Sequence, residues 1–196
     1  MQIGVDFDNT IVSYDGLFHK VAVEKSLIPP EVGTSKGAVR DYLRALDQEN
    51  AWTELQGYVY GARMDLAFPY PGIDQFFSLC SSQHIPTYII SHKTLHPYLG
   101  PRYDLHQAAK NWLQKQSFSP PAFFELTLEK KLDRIKQQNC TIFIDDLPEI
   151  FTEKNFPSHV TKILFDPHKL HSPIGDYLYA TSWDEISKKL NLSHAH

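Results

Sequence analysis

The chain has 196 residues, a formal charge of −4 at pH 7 and an apolar fraction of 42%, enough for one sizeable core with a small appended subdomain. It has no run of Lys or Arg, so it lacks the basic footprint that polymeric nucleic acid or an anionic membrane requires; a small phosphorylated ligand stays open. No apolar stretch is long enough to cross a bilayer, no secretory signal stands out, and Cys80 and Cys140 lack CxxC spacing, so the chain reads as cytoplasmic with reduced thiols.

In chain order, the apolar run at 1–6 predicts a first strand. Residues 13–68 then show helical periodicity and no convincing strand. Leu17, Phe18, Val21 and Ala22 mark one helix, Val39, Tyr42, Leu43 and Leu46 a second, and 52–56 a short third. After the Pro71-Gly72 turn, Ile73, Phe76, Phe77 and Cys80 follow helical spacing, and 85–91 (IPTYIIS) reads as a strand. Leu105, Ala108, Ala109, Trp112 and Leu113 form another apolar stripe, opened by Asp104 and Gln107 in the manner of a capping box. A strand at 122–125 and a helix on Leu128, Leu132 and Ile135, opened by Thr127, come next. Strands at 141–145, 162–166 and 177–180, a surface loop at 167–173 and a helix over 183–190 complete the chain, with His194 and His196 in a tail expected to be disordered. Strand–helix alternation with nearly continuous apolar strands predicts an open, doubly wound parallel α/β sheet. The core is expected to comprise residues 1–12 and 69–196, and the block 13–68 a small all-helical cap.

The chemistry gathers at strand ends. Asp6 and Asp8 close the first strand, and Asp145 and Asp146 close that at 141–145. In an open α/β sheet, ligands bind at the carboxyl ends of the strands. Carboxylates crowded there repel one another, and a hard cation such as Mg²⁺ takes oxygen ligands and offsets that repulsion. Asp also favours turns for purely local reasons, so the spacing by itself leaves a structural role open. His168 and His171 lack the i, i+4 spacing of a helical zinc site and have no Cys companions.

With DFDNT, in which Asp6, Asp8 and Thr10 match a DxDxT signature, the chain resembles the haloacid-dehalogenase-like (HAD) hydrolase superfamily, most of whose members are phosphatases. IISHKT ends a strand on Ser91, as that superfamily's second motif does. FIDDLPEIF supplies the acidic pair, and the helical block resembles a C1-type cap. The resemblance implies that Asp6 is a nucleophile forming an aspartyl-phosphate and that Asp8 is the general acid and base. It also implies Mg²⁺ held by Asp6, the Asp8 main-chain carbonyl and the acidic pair, with Asp146 favoured as direct ligand and Asp145 acting through water or in the surrounding shell. Ser91 and a lysine would hold phosphoryl oxygens, with Asn9 and Thr10 in the same loop as phosphate-binding candidates. For the lysine, helical geometry separates two neighbours. Lys131 projects about 65° from the apolar face of Leu128, Leu132 and Ile135, whereas Lys130 lies almost opposite it, which favours Lys131.

An acid at Asp8 also speaks against carbon–halogen cleavage, because a halide leaves without needing a proton. The expected substrate is a small phosphorylated metabolite. Lys93, Arg63 and Arg102 are possible substrate contacts, and Tyr14, Trp52, Tyr58 and Tyr60 are either an aromatic wall or packing. Alternatives are a nucleotidase, given a partial resemblance to 5′(3′)-deoxyribonucleotidases, a nucleic-acid-end phosphatase, a phosphomutase, or a non-catalytic binding protein on the same fold. The oligomeric state is not legible from the sequence.

Overall fold

The computed structural model describes residues 1–192, so His194 and His196 lie outside the described residues. The chain runs β1 (Ile3–Val5), β2 (Val12–Ser13), α1 (Leu17–Glu24), α2 (Lys36–Ala45), α3 (Glu49–Tyr60), β3 (Phe68–Pro69), α4 (Ile73–Ser82) and β4 (Thr87–His92). It continues through α5 (Leu105–Leu113), β5 (Ala122–Glu125), α6 (Leu128–Gln137), β6 (Ile142–Asp145), β7 (Thr161–Phe165), β8 (Leu178–Ala180) and α7 (Trp183–Lys189). All six strands of the sequence reading are present. The two-residue strands β2 and β3 are too short to leave a pattern. α3 is a full helix of 12 residues, not a short piece, because Trp52, Leu55 and Val59 continue its buried stripe beyond the aromatic start.

The chain divides into two compact units, 1–12 with 69–92 and 117–196, and 13–68 with 93–116. In the first, six strands form one sheet in the order β5-β4-β1-β6-β7-β8, with parallel neighbours throughout. Chain direction across the sheet reverses beside β1, the switch point at which open α/β sheets form a crevice. Strands covered on both faces must be apolar throughout, and β1 and β6 are buried at every position.

Adjacent strand residues face opposite sides, and β7 shows both layers. Leu164 joins Ile90, Phe143, Leu132, Ile135, Phe151 and Phe156 in the cluster beneath α6. Phe165 turns the other way, 5.3 Å from the ring of Trp183, which itself stacks at 4.7 Å on Phe76 of α4. Gly4 is a packing requirement, since a Cβ there would lie 2.6 Å from the Phe143 ring. Local caps start the helices: Thr127 accepts from the Lys130 N–H at 3.2 Å, and Ser182 from that of Glu185 at 3.2 Å. Cys80 and Cys140 are free and buried, and burial pushes their thiols up to about 12 and about 11.

The second unit is helical. Tyr14, Phe18, Trp52 and Tyr60 pack with ring centroids 4.9–6.0 Å apart, and the Tyr14 hydroxyl meets the Met64 sulfur at 3.3 Å. Residues 93–116, read from sequence as core, cluster here with 13–68. The Trp112 indole N–H donates to the Ala67 carbonyl at 2.8 Å. Pro97 sits so close to α3 that a Cβ on Gly57 would lie 2.5 Å from it. Among the described residues no helix is long and apolar enough to cross a membrane. His168 is exposed and His171 half-buried.

Candidate active site

Strand register builds the site. Val5 pairs with Ile89 of β4 on one side and with Ile144 of β6 on the other. Asp6 therefore leaves β1 level with Asp145, and its N–H donates to the Ile144 carbonyl at 2.9 Å. The chain then turns tightly: the Phe7 carbonyl accepts from both Ile11 and Val12 at 3.0 Å. Asn9 takes a left-handed φ of 58°, a conformation that Asn tolerates better than most residues.

From the opposite layer, α6 delivers Lys131. Leu132 and Ile135 anchor that helix in the core. Lys131 is buried while Lys130 is exposed. The Lys131 ammonium donates to Asp6 Oδ1 at 2.5 Å and to Asp145 Oδ2 at 2.7 Å, and lies 5.4 Å from the centre of the Phe143 ring. Asp145 Oδ1 accepts from the Leu147 N–H at 3.0 Å. Asp6, Asp145 and Asp146 can each offer a carboxylate oxygen such that all three lie within 4.8 Å of one another. An all-oxygen, all-anionic donor set of this kind suits a hard divalent cation.

These groups line a cavity of about 230 Å³ that also includes Asp8, Asn9, Ser91, His92 and Glu149. It is small for a drug-sized ligand. Burial raises the Asp6 carboxyl to about 7; Lys131 pulls it down, and the nearby Asp145 and Asp8 push it up again. For Lys131, burial works against the charged form, but Asp145 and Asp6 outweigh it and the ammonium is held well above its ordinary value. Burial and the Lys131 charge both lower His92.

Of the residues singled out from sequence, Asp6, Asp8, Asn9, Ser91, Lys131, Asp145 and Asp146 line this one cavity. Thr10, expected among the phosphate-binding residues, is fully buried and does not line it. Its hydroxyl donates to Asp146 Oδ1 at 3.3 Å, and its carbonyl accepts from the Trp183 indole at 3.2 Å, so it orients an acid instead. Lys93, Arg63 and Arg102 belong to the helical unit and are not in the lining. Arg63 is held by Glu24 at 2.7 Å. Lys93 is buried 4.9 Å from the Tyr60 ring, and Arg102 is exposed. Tyr14 and Trp52 are buried in that unit's own core. Sequence reasoning missed His92 and the turn carrying Glu149 and Glu153, all in the lining. The adjacency of HK to Ser91 and of LPEIFTE to the acidic pair was the available signal.

No family model and no curated protein matches the chain. Solved structures match over nearly its full length. A predicted phosphatase from Clostridium acetobutylicum aligns at 17% identity over 97% of both chains with a TM-score of 0.59. A HAD family hydrolase from Deinococcus radiodurans R1, with bound phosphate and sodium, aligns at 14% over 100% of this chain and 98% of that one, again at 0.59. A HAD phosphatase from Thermococcus onnurineus aligns at 12% over 99% of both, at 0.52. What these likenesses establish is a shared fold.

Proposed function

We propose that this chain, which carries the fold of the HAD-superfamily hydrolases, is a divalent-cation-dependent phosphatase that hydrolyses a small phosphomonoester. The observation that carries the reading is the convergence of Asp6, Asp145 and Asp146, remote in sequence, around the buried Lys131 ammonium at the carboxyl end of the sheet.

Asp6 is the nucleophile: its carboxylate oxygen attacks phosphorus, the bond to the leaving oxygen breaks, and an aspartyl-phosphate forms. Asp8, in the same lining, gives a proton to the departing oxygen and later takes one from the water that hydrolyses the acyl phosphate. Lys131, Ser91 and Asn9 hold the phosphoryl oxygens as charge redistributes among them. Asp6, Asp145, Asp146 and the Asp8 carbonyl would hold the cation, Mg²⁺ by the hardness of its ligands, which neutralises charge and orients the ester when bound. Asp145 already accepts from Lys131 and from the Leu147 N–H, which favours Asp146 as direct ligand. The proton-donating acid at Asp8 favours phosphate esters over halides. The weak basic character of the chain favours metabolites over nucleic-acid ends.

The test is phosphate release from an aryl phosphate with Mg²⁺, with EDTA, and with Asp6→Asn. Turnover that requires the cation and disappears in Asp6→Asn is the expected result. Turnover that survives both changes would falsify the assignment.

A further inference from the structure

The cavity is more acidic than its catalytic groups account for. Beyond the four aspartates, Glu149 and Glu153 belong to its lining, and Lys131 is the single lysine there. Both glutamates are exposed, and among the described residues neither side-chain carboxylate has an ion-pair or hydrogen-bond partner. They are not on a loose loop. Pro148–Thr152 form a 3₁₀ turn whose Ile150 and Phe151 are buried in the cluster beneath α6. The Ile150 N–H donates to the Leu147 carbonyl and the Glu153 N–H to that of Ile150, each at 3.3 Å. The turn is thus pinned from below, and it starts two residues after the acidic pair.

A divalent cation and Lys131 together supply three positive charges, which the carboxylates of Asp6, Asp145 and Asp146 already match. A phosphoryl dianion entering beside them leaves no positive charge for a further anion on the leaving group. From this we propose that Glu149 and Glu153 are specificity-determining residues: they select phosphomonoesters whose leaving group carries an ammonium group, and they discriminate against leaving groups carrying a carboxylate or a second phosphate. The physics is Coulombic and acts across the cavity mouth, where solvent tempers it, so it sets relative rates and not the ability to turn over.

The inference rests on the phosphatase reading, and three small esters of similar size separate the two: phosphoethanolamine (cationic), 2-hydroxyethyl phosphate (neutral) and 2-phosphoglycolate (anionic). The wild type with Mg²⁺ at low ionic strength is expected to rank them in that order by kcat/KM. In Glu149→Gln/Glu153→Gln the ratio of cationic to anionic ester should fall by about threefold to tenfold, with the neutral ester between them, and salt should shrink the wild-type ratio towards that of the variant. Exposed side chains are substituted, and a thermal melt verifies folding of the variant. Hydrolysis of the three esters with a ratio that is the same in wild type and variant overturns this inference alone. Hydrolysis of an aryl phosphate but of none of the three esters likewise overturns this inference alone, and release from no phosphoester at all overturns the phosphatase reading with it.

Discussion

Asp6 and Asp166 occupy equivalent places, each the residue that follows a strand of the same parallel sheet, and each is almost wholly buried. They are treated in opposite ways. Asp166 accepts from the N–H groups of Leu170 and His171 at 2.9 and 2.8 Å and from the Tyr179 hydroxyl at 3.1 Å. Burial pushes its carboxyl up, but these donors outweigh it and hold the group below its ordinary value. Asp6 has one cation and two acidic neighbours, and burial raises it to about 7. A carboxylate satisfied by surrounding donors organises a turn. One kept short of donors, next to a single ammonium and other acids, has its ionisation disfavoured, the mark of a candidate functional group.

The sharpest way to break this contrast is Asp6→Asn. On the proposed mechanism activity should fall by about 10³-fold or more, because no other group replaces Asp6 as nucleophile. Stability should move the other way. The folded pKa of Asp6 lies above its unfolded value, so ionising it in the fold costs stability as pH rises from about 4 to about 7. Without added cation at pH 7.5, Asp6→Asn should therefore melt ~3 °C or more above wild type, and the gain should vanish near pH 4.

Lys131→Met probes the same triad from its cation. It leaves Asp6 and Asp145 buried without their partner, at a cost of about 3–5 kcal/mol at pH 7.5, and this cost should shrink on acidification as the acids take up protons. Phosphate release should fall by about 10²-fold or more. Denaturant titrations at pH 5 and 7.5 check the sign.

Thr10→Val removes the hydroxyl that orients Asp146 while keeping the buried shape. The Mg²⁺ concentration for half-maximal activity should rise about tenfold, with little change in Tm. An unchanged Mg²⁺ titration would mean that Asp146 needs no such support.

Asp166→Asn should act least on catalysis and chiefly on stability, about 1–3 kcal/mol at pH 7. Because the folded pKa of Asp166 is lowered, its stabilisation is present above the unfolded value and is lost as pH falls through the folded one. The difference between wild type and variant should thus close in acid, opposite in sign to Asp6→Asn. Parallel pH dependence in the two variants would erase the distinction between the two carboxylates.

The site was legible where local pattern carries geometric meaning. The acids end apolar runs, and the 100° step of α6 separates Lys131 from Lys130, a choice consistent with the burial of one and exposure of the other. Long-range partners left no such trace. That Thr10 turns to Asp146, that Arg63 is held by Glu24, and that Glu149 and Glu153 reach the cavity depend on residues that meet only after folding. The stripe of α5 announced a buried face but not which elements would cover it, and residues 93–116 cluster with the helical block.

By itself, then, the sequence determined the six strands, the alternation with helices and the placement of Asp6, Asp8, Asp145 and Asp146 at strand ends, because periodicity and chain order are local properties. Tertiary structure alone decided how Asp6 and Asp145 share one ammonium, which carboxylate rises and which falls, and which glutamates join the cavity. Charge interactions and desolvation depend on distance through space, and spacing along a chain does not report it.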